Sequence, residues 1–167
     1  MFLGQALSLI TENNPHFSTI LEYLDLSLYQ RFLVLGATND LNKAINSLTK
    51  TVKMTVKGGH FLTNRLSNLG HLLGLHHELF GNIKDLEMSI QNLEASMEYT
   101  PESHPKFPFR LNNLAARLKL CFERMENFSD IEKGTTLLEK AISISFKNFP
   151  DVPLMICNLA TFLHIHF

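Results

Sequence analysis

Cysteine is scarce in this chain: 167 residues contain only Cys121 and Cys157. Two cysteines make no disulfide framework, so reduced, cytoplasmic residence is the expectation. Net charge is scarce as well. Fifteen basic against sixteen acidic residues leave −1, which gives no electrostatic basis for holding nucleic acid or an anionic membrane. No uninterrupted apolar run approaches the ~18 residues of a membrane span. Met1 to Asn14 has no basic stretch, and Gln5 and Ser8 break its apolar patch, so no signal peptide is expected. A Gly-rich phosphate loop, a Ser elbow and a paired-carboxylate motif are all missing.

What the chain does have is self-similarity. Arg65-Leu66-Ser67-Asn68-Leu69-Gly70 returns as Arg110-Leu111-Asn112-Asn113-Leu114-Ala115, then as Met155-Ile156-Cys157-Asn158-Leu159-Ala160, each time 45 residues on. A worn copy, Ile20-Leu21-Glu22-Tyr23-Leu24-Asp25, precedes them at the same interval. Rows 65–109 and 110–154 share 14 of 45 identities, a fixed period of the kind that marks stacked repeats. The chain divides as one repeat domain, 1–167: a half repeat 1–19, repeats 20–64, 65–109 and 110–154, and a half repeat 155–167.

Within each row the apolar residues form two helical stripes. The first half carries Leu21, Leu24, Leu28, Phe32 and Leu35, then Leu66, Leu69, Leu73, His77 and Phe80, then Leu111, Leu114, Leu118, Phe122 and Met125. The last row gives Ile156, Leu159, Leu163 and Phe167. Spacings of three and four define one face of an amphipathic helix, helix A. The second half carries Leu41, Ile45, Leu48 and Val52, then Leu86, Ile90, Leu93 and Met97, then Ile131, Thr135, Leu138 and Ile142. This is helix B, and Met1 to Thr11 reads as the tail of an earlier one.

The punctuation repeats too. Asn82 and Asn127 stand at N-cap positions, with Asp85 and Asp130 three residues on, which approximates a capping box. Asn14-Pro15, His104-Pro105-Lys106-Phe107-Pro108 and Phe149-Pro150-Asp151-Val152-Pro153 end one repeat and launch the next; Gly58-Gly59 serves the first row. Small residues recur where helices should touch: Gly70, Ala115 and Ala160 on helix A, with Asp25 as the exception, and Ala6, Thr51, Ser96 and Ala141 on helix B. A single repeat of this size cannot bury its own apolar faces, so neighbours must stack. The expected fold is all-α: an α–α superhelix of antiparallel helix pairs with a 45-residue period.

The Leu111-Asn112-Asn113-Leu114-Ala115 pattern, the His104-Pro105 loop and the Phe80-Gly81-Asn82-Ile83-Lys84-Asp85-Leu86 junction resemble tetratricopeptide-like repeats. They are similar to the repeat arrays preceding CHAT-type caspase-like peptidase domains of fungal proteins, and the Asn-Asn-Leu-Ala core also resembles kinesin light chain repeats. The resemblance implies a right-handed superhelix with A helices on the concave face, a non-enzymatic scaffold that binds a peptide or protein segment. The alternative it implies is a regulatory repeat fragment of a CHAT-type peptidase whose catalytic domain lies outside this chain; no stretch here matches the His and Cys dyad. Row one lacks the Asn pair. Both ends stop in mid-repeat with apolar residues such as Phe162, Leu163 and Ile165, which implies a longer array, a truncated product or self-association through uncapped ends.

On such a wall, Asn68, Asn113 and Asn158 would form a column. A carboxamide has donors and an acceptor and can grip an extended backbone; equally, the column can be a ladder that ties helix to helix. Glu22, Tyr29, Ser67, His71, Asn112, Lys119, Cys157 and His164 should face the same groove, and their mixed charge argues against an acidic-tail clamp. His71, His76 and His77 could be read as metal ligands, but their spacing puts them on different faces, and His77 replaces Phe32 and Phe122. His60 and His104 belong near turns. Neither cysteine has the basic surroundings of a nucleophile. No cofactor, metal or catalytic residue is expected.

Overall fold

The computed structural model describes residues 16–56, 60–145 and 150–166, with Ser18, His60 and His166 described by backbone alone. The expected helix over Met1–Thr11, the Gly58-Gly59 turn, Phe149 and Phe167 lie outside these residues. Seven helices make up the described chain: α1 (Phe17–Leu35), α2 (Thr38–Met54), α3 (His60–Phe80), α4 (Ile83–Glu98), α5 (Phe107–Met125), α6 (Phe128–Ile144) and α7 (Val152–His166). Odd-numbered helices are A and even-numbered are B. Each packs against the next in chain order, so the antiparallel pairs stack into one continuous array. Among the described residues there is no strand.

The apolar stripes account for the core. Leu21, Leu66 and Leu111 are equivalent and all buried, as are Leu28, Leu73 and Leu118, and Leu48, Leu93 and Leu138. Leu69 and Leu114, at the centre of the repeated motif, are only 3% and 2% exposed. A buried leucine contributes about 1.5–3 kcal/mol over an exposed one. Small residues hold the helices close, as expected: Thr51, Ser96 and Ala141 are fully buried. A Cβ added to Gly70 would lie 2.8 Å from Leu93 and 2.9 Å from the Ser89 carbonyl on α4.

The last row departs from its expected register. Ile156 and Leu163 are 52% and 38% exposed, while Met155 and Phe162 are buried. The cause is that an A helix has two apolar faces. Met155 and Phe162 pack on α6, where Gly134 leaves space for the Phe162 ring. Ile156 and Leu163 stand where α5 has the buried Leu111 and Leu118, and no described B helix follows α7 to cover them.

Polar devices recur at the A-to-B turns, although the first turn has Ala37 where the others have an Asn N-cap. Gly36, Gly81 and Glu126 each adopt a left-handed conformation, with φ of 65°, 71° and 55°, and each backbone N–H bonds the carbonyl four residues back. This is a C-terminal cap that stops helix A. The side chains of Asn82 and Asn127 then accept from Lys84 N and Ser129 N at 3.2 Å, as N-caps should. The capping box, however, is not completed. The carboxylates reach back across the turn to helix A: Asp40 forms a two-pronged ion pair with Arg31, Asp85 bonds His76 Nδ1 at 2.7 Å, and Asp130 lies against the Cys121 thiol. Arg31, His76 and Cys121 are one repeat apart, so helix A offers a partner that outcompetes the local backbone N–H.

Another device joins each B helix to the next A. Thr55, Thr100 and Ser145 end their helices, and each hydroxyl donates to the carbonyl four residues back. The Thr55 and Thr100 oxygens also accept from the buried arginine ten residues on: Arg65 Nη1 at 2.6 Å and Arg110 Nη1 at 2.8 Å. Arg110 further donates to the Thr63 and Ser96 carbonyls and to Asn64 Oδ1. In the last row Met155 takes the arginine's place beside Ser145.

Gly36 and Gly81 have open space where a Cβ would go, so their requirement is the positive φ alone. Glu126 meets the same requirement with a side chain that disfavours it. Glu126→Gly should therefore raise stability by about 0.5–1 kcal/mol, and Gly81→Ala should lower it by about 1 kcal/mol. Urea unfolding with unchanged m-values checks both.

Candidate functional site: the wall of A helices

Backbones of α3 and α5 approach each other directly, as do those of α5 and α7, whereas no two B helices do. Across α3, α5 and α7 the A side is therefore the inner side. Side chains tie its members together. Tyr29 Oη and His71 Nε2 share a hydrogen bond at 3.0 Å, Arg65 Nη2 donates to Glu22 Oε2 at 3.2 Å, and Asn158 Nδ2 donates to Asn112 Oδ1 at 2.8 Å. Arg117 pairs with Glu78, using room left by Gly74.

The column of asparagines is thus heterogeneous. Asn158 is engaged in the helix-to-helix ladder, Asn113 is half-buried, and Asn68 is exposed. Asn112 is 5% exposed and acts as the acceptor for Asn158. Lys119 pairs with Glu123 along its own helix at 3.3 Å, and His164 and Cys157 are exposed on α7. Ser67 and Asn68 line a cavity of about 370 Å³ with Asn64, Phe109, Arg110 and Asp151.

The three histidines of the metal reading go separate ways: His71 to Tyr29, His76 to Asp85, and the buried His77 to the Asn82 carbonyl at 2.8 Å. Among the described residues no group of three or more His, Cys, Asp or Glu could hold a metal ion. His104 receives the Lys106 N–H at 3.1 Å, a turn role. Burial, together with the hydrogen bond and charge of Asp130, pushes the Cys121 thiol up to about 11. At neutral pH it is not a thiolate.

α1 and α3 differ from the later pairs. Their backbones make no close approach, and a cavity of about 630 Å³ lies between them. Glu22, Asp25 and Tyr29 of α1 face Arg65, Asn68 and His71 of α3, with Leu48 of α2 behind. Asp25 stands where the other rows have Gly70, Ala115 and Ala160. It is 6% exposed, and neither carboxylate oxygen has a hydrogen-bond partner. Burial raises its pKa from 3.8 to about 7; the nearby Ser47 hydroxyl opposes this, Glu22 adds to it and Arg65 opposes it. Ser47 itself makes no aligned hydrogen bond. Burial, then Arg117, hold His71 below its ordinary range, so its ring is neutral. Arg65 is spent on Thr55 and Glu22, and its Nε is buried without a partner.

Asp25 was legible as an oddity, a charge in a column of small residues. Arg65, Tyr23 and Phe61 carried no such signal, because arginine and aromatic residues at these positions read as ordinary helix surface.

The fold and this wall define a class: an α–α repeat array of antiparallel helix pairs whose inner side is lined by A helices. No protein-family model and no curated protein matches this chain.

The Asp25 carboxyl holds its proton more tightly in the folded chain than in the unfolded one. It therefore costs nothing below pH ~4 and destabilises progressively as pH rises to about 7. Asp25→Ala, which copies Ala115, should stabilise by roughly 2–3 kcal/mol at pH 8, after allowing for solvent at the cavity mouth, and by much less at pH 4. The difference between wild-type and variant unfolding free energies across pH 4–8 isolates this group. A flat difference would contradict it.

Proposed function

We propose that this chain is a non-enzymatic, tetratricopeptide-like interaction scaffold that holds a segment of a partner protein along its inner wall. The observation that carries this reading is Asn68. It is an exposed carboxamide bordering both cavities of the wall, the α1–α3 gap and the smaller hollow beside Ser67 and Arg110. A chain lying there would meet a backbone-gripping group between two places for side chains, the arrangement extended-peptide recognition uses. Glu22, Tyr29, His71, Asn113 and Lys119 supply further polar contacts, His164 extends the wall on α7, and the buried Asn112 acts through Asn158. Asn158 contributes less, because its amide is engaged with Asn112.

Cytoplasmic residence fits the reading. Cys121 and Cys157 are unpaired, and among the described residues no helix is long and apolar enough to cross a membrane. Nothing in the charge balance favours nucleic acid.

Affinity capture with the intact chain, compared with the Asn68→Ala, Asn113→Ala double variant, tests the proposal. Two lost hydrogen bonds at about 1 kcal/mol each predict roughly a 10- to 30-fold loss of partner retention with little change in melting temperature. Unchanged retention with a lower melting temperature would make the asparagines structural.

A further inference from the structure

Three features meet in the α1–α3 cavity. The first is an uncompensated carboxylate. Asp25 is buried, neither oxygen makes an aligned hydrogen bond although the Ser47 hydroxyl is close, and among the described residues the cation acting on it, Arg65, is committed to Glu22 and Thr55. A buried charge without a partner is among the costliest groups in a folded chain. A ligand that supplies both charge and donors recovers that cost.

The second is net charge. With both carboxyls ionised, Asp25 and Glu22 stand against Arg65 alone, and His71 and Tyr29 satisfy each other. The cavity is one positive charge short. An anion would be repelled, and a neutral apolar body would leave Asp25 as it is.

The third is the lining. Tyr23 and Phe61 are exposed at 59% and 61%, and with Tyr29, Leu26 and Leu72 they surround the space. Aromatic faces attract cations, as Phe61 already does with the Arg65 guanidinium 5.7 Å from its ring centre, and aromatic and aliphatic walls cover an organic cation's stem. The volume, about 630 Å³, is that of a small-ligand site.

We propose that the cavity between α1 and α3 is a binding site for an alkylammonium group, its charge held by the Asp25 carboxylate and its stem lying among Tyr23, Tyr29 and Phe61. Both Asp25 oxygens are closed to solvent, so this binding requires the side chain to turn from the Ser47 side toward the cavity. The ammonium brings three donors to a carboxylate that has no aligned one. This site does not depend on the scaffold reading: a free amine satisfies it, as does a lysine side chain of a bound segment.

The test is an NMR titration of the full chain at pH 8 with n-butylammonium chloride, n-butanol and a capped Ala-Ala-Lys-Ala-Ala peptide. Saturable shifts should appear in residues 22–29 and 65–72 with butylammonium, and butanol should bind at least tenfold more weakly. Asp25→Asn, checked for folding by its melting curve, should weaken the amine at least tenfold. A peptide binding tenfold tighter than the amine makes a protein lysine the natural ligand; a peptide no tighter makes it a free amine, and either result keeps the site. No saturable shift with either amine, or an Asp25→Asn chain that titrates like wild type, overturns it. Neither outcome depends on what Asn68→Ala and Asn113→Ala do to partner capture.

Discussion

The inner A helices, α3 and α5, have to bury two apolar faces at once, one against the B helix before and one against the B helix after. That requirement turns a string of hairpins into an array. Phe107 and Leu111 pack with Ile131, Leu138 and Ala141 of α6, while Leu114 and Leu118 pack with Leu93 of α4 and Arg110 bonds Thr100 just beyond it. At about 1.5–3 kcal/mol for each buried leucine, losing either neighbour removes several kcal/mol. α7 shows the consequence. With a partner on one side only, Met155 and Phe162 are covered and Ile156 and Leu163 are not.

Polar side chains set the register of this stacking. A buried arginine costs desolvation, so Arg110 is tolerated because a side-chain hydroxyl, two carbonyls and a carboxamide from three segments converge on it. Such a group accepts one arrangement of its neighbours and rejects a slipped one. The clasp across each A-to-B turn works in the same way with less and less charge: arginine with aspartate, histidine with aspartate, thiol with aspartate. The positions persist while the chemistry varies, as expected where geometry rather than pair strength is required.

Much of this could be read from the chain before any coordinates. The leucine stripes, the period, the small-residue columns and the Asn caps all depend on local periodicity, which one sequence displays. What escaped depends on pairs that meet only across a turn or between repeats. Asp85 looks like a capping-box residue until His76 is seen beside it. Arg65 and Arg110 look like surface residues until Thr55 and Thr100 are placed ten residues back across a loop. Asn158 reads as part of a binding column, but Asn112, 46 residues earlier, already holds its amide. Gly36 and Gly81 could have been recognised as helix stops, yet Glu126 hides the pattern because its identity gives no hint of its left-handed backbone.

The first repeat stands apart. Asp25 replaces a glycine or alanine at a helix contact, α1 stands off from α3, and the space between them holds carboxylates, aromatic rings and an arginine already engaged. The polar irregularity is concentrated in the first repeat, and the regular repeats carry the frame. The claim beneath both is that residues one period apart are interchangeable in space. In-frame duplication of residues 65–109, joining Phe109 to a second Arg65, tests it directly. Far-UV circular dichroism should show unchanged helicity per residue with one cooperative transition, and small-angle scattering should show the longest dimension growing by about 8–10 Å, one more layer of helices. Lost helicity per residue, or aggregation of the lengthened chain, would contradict the account.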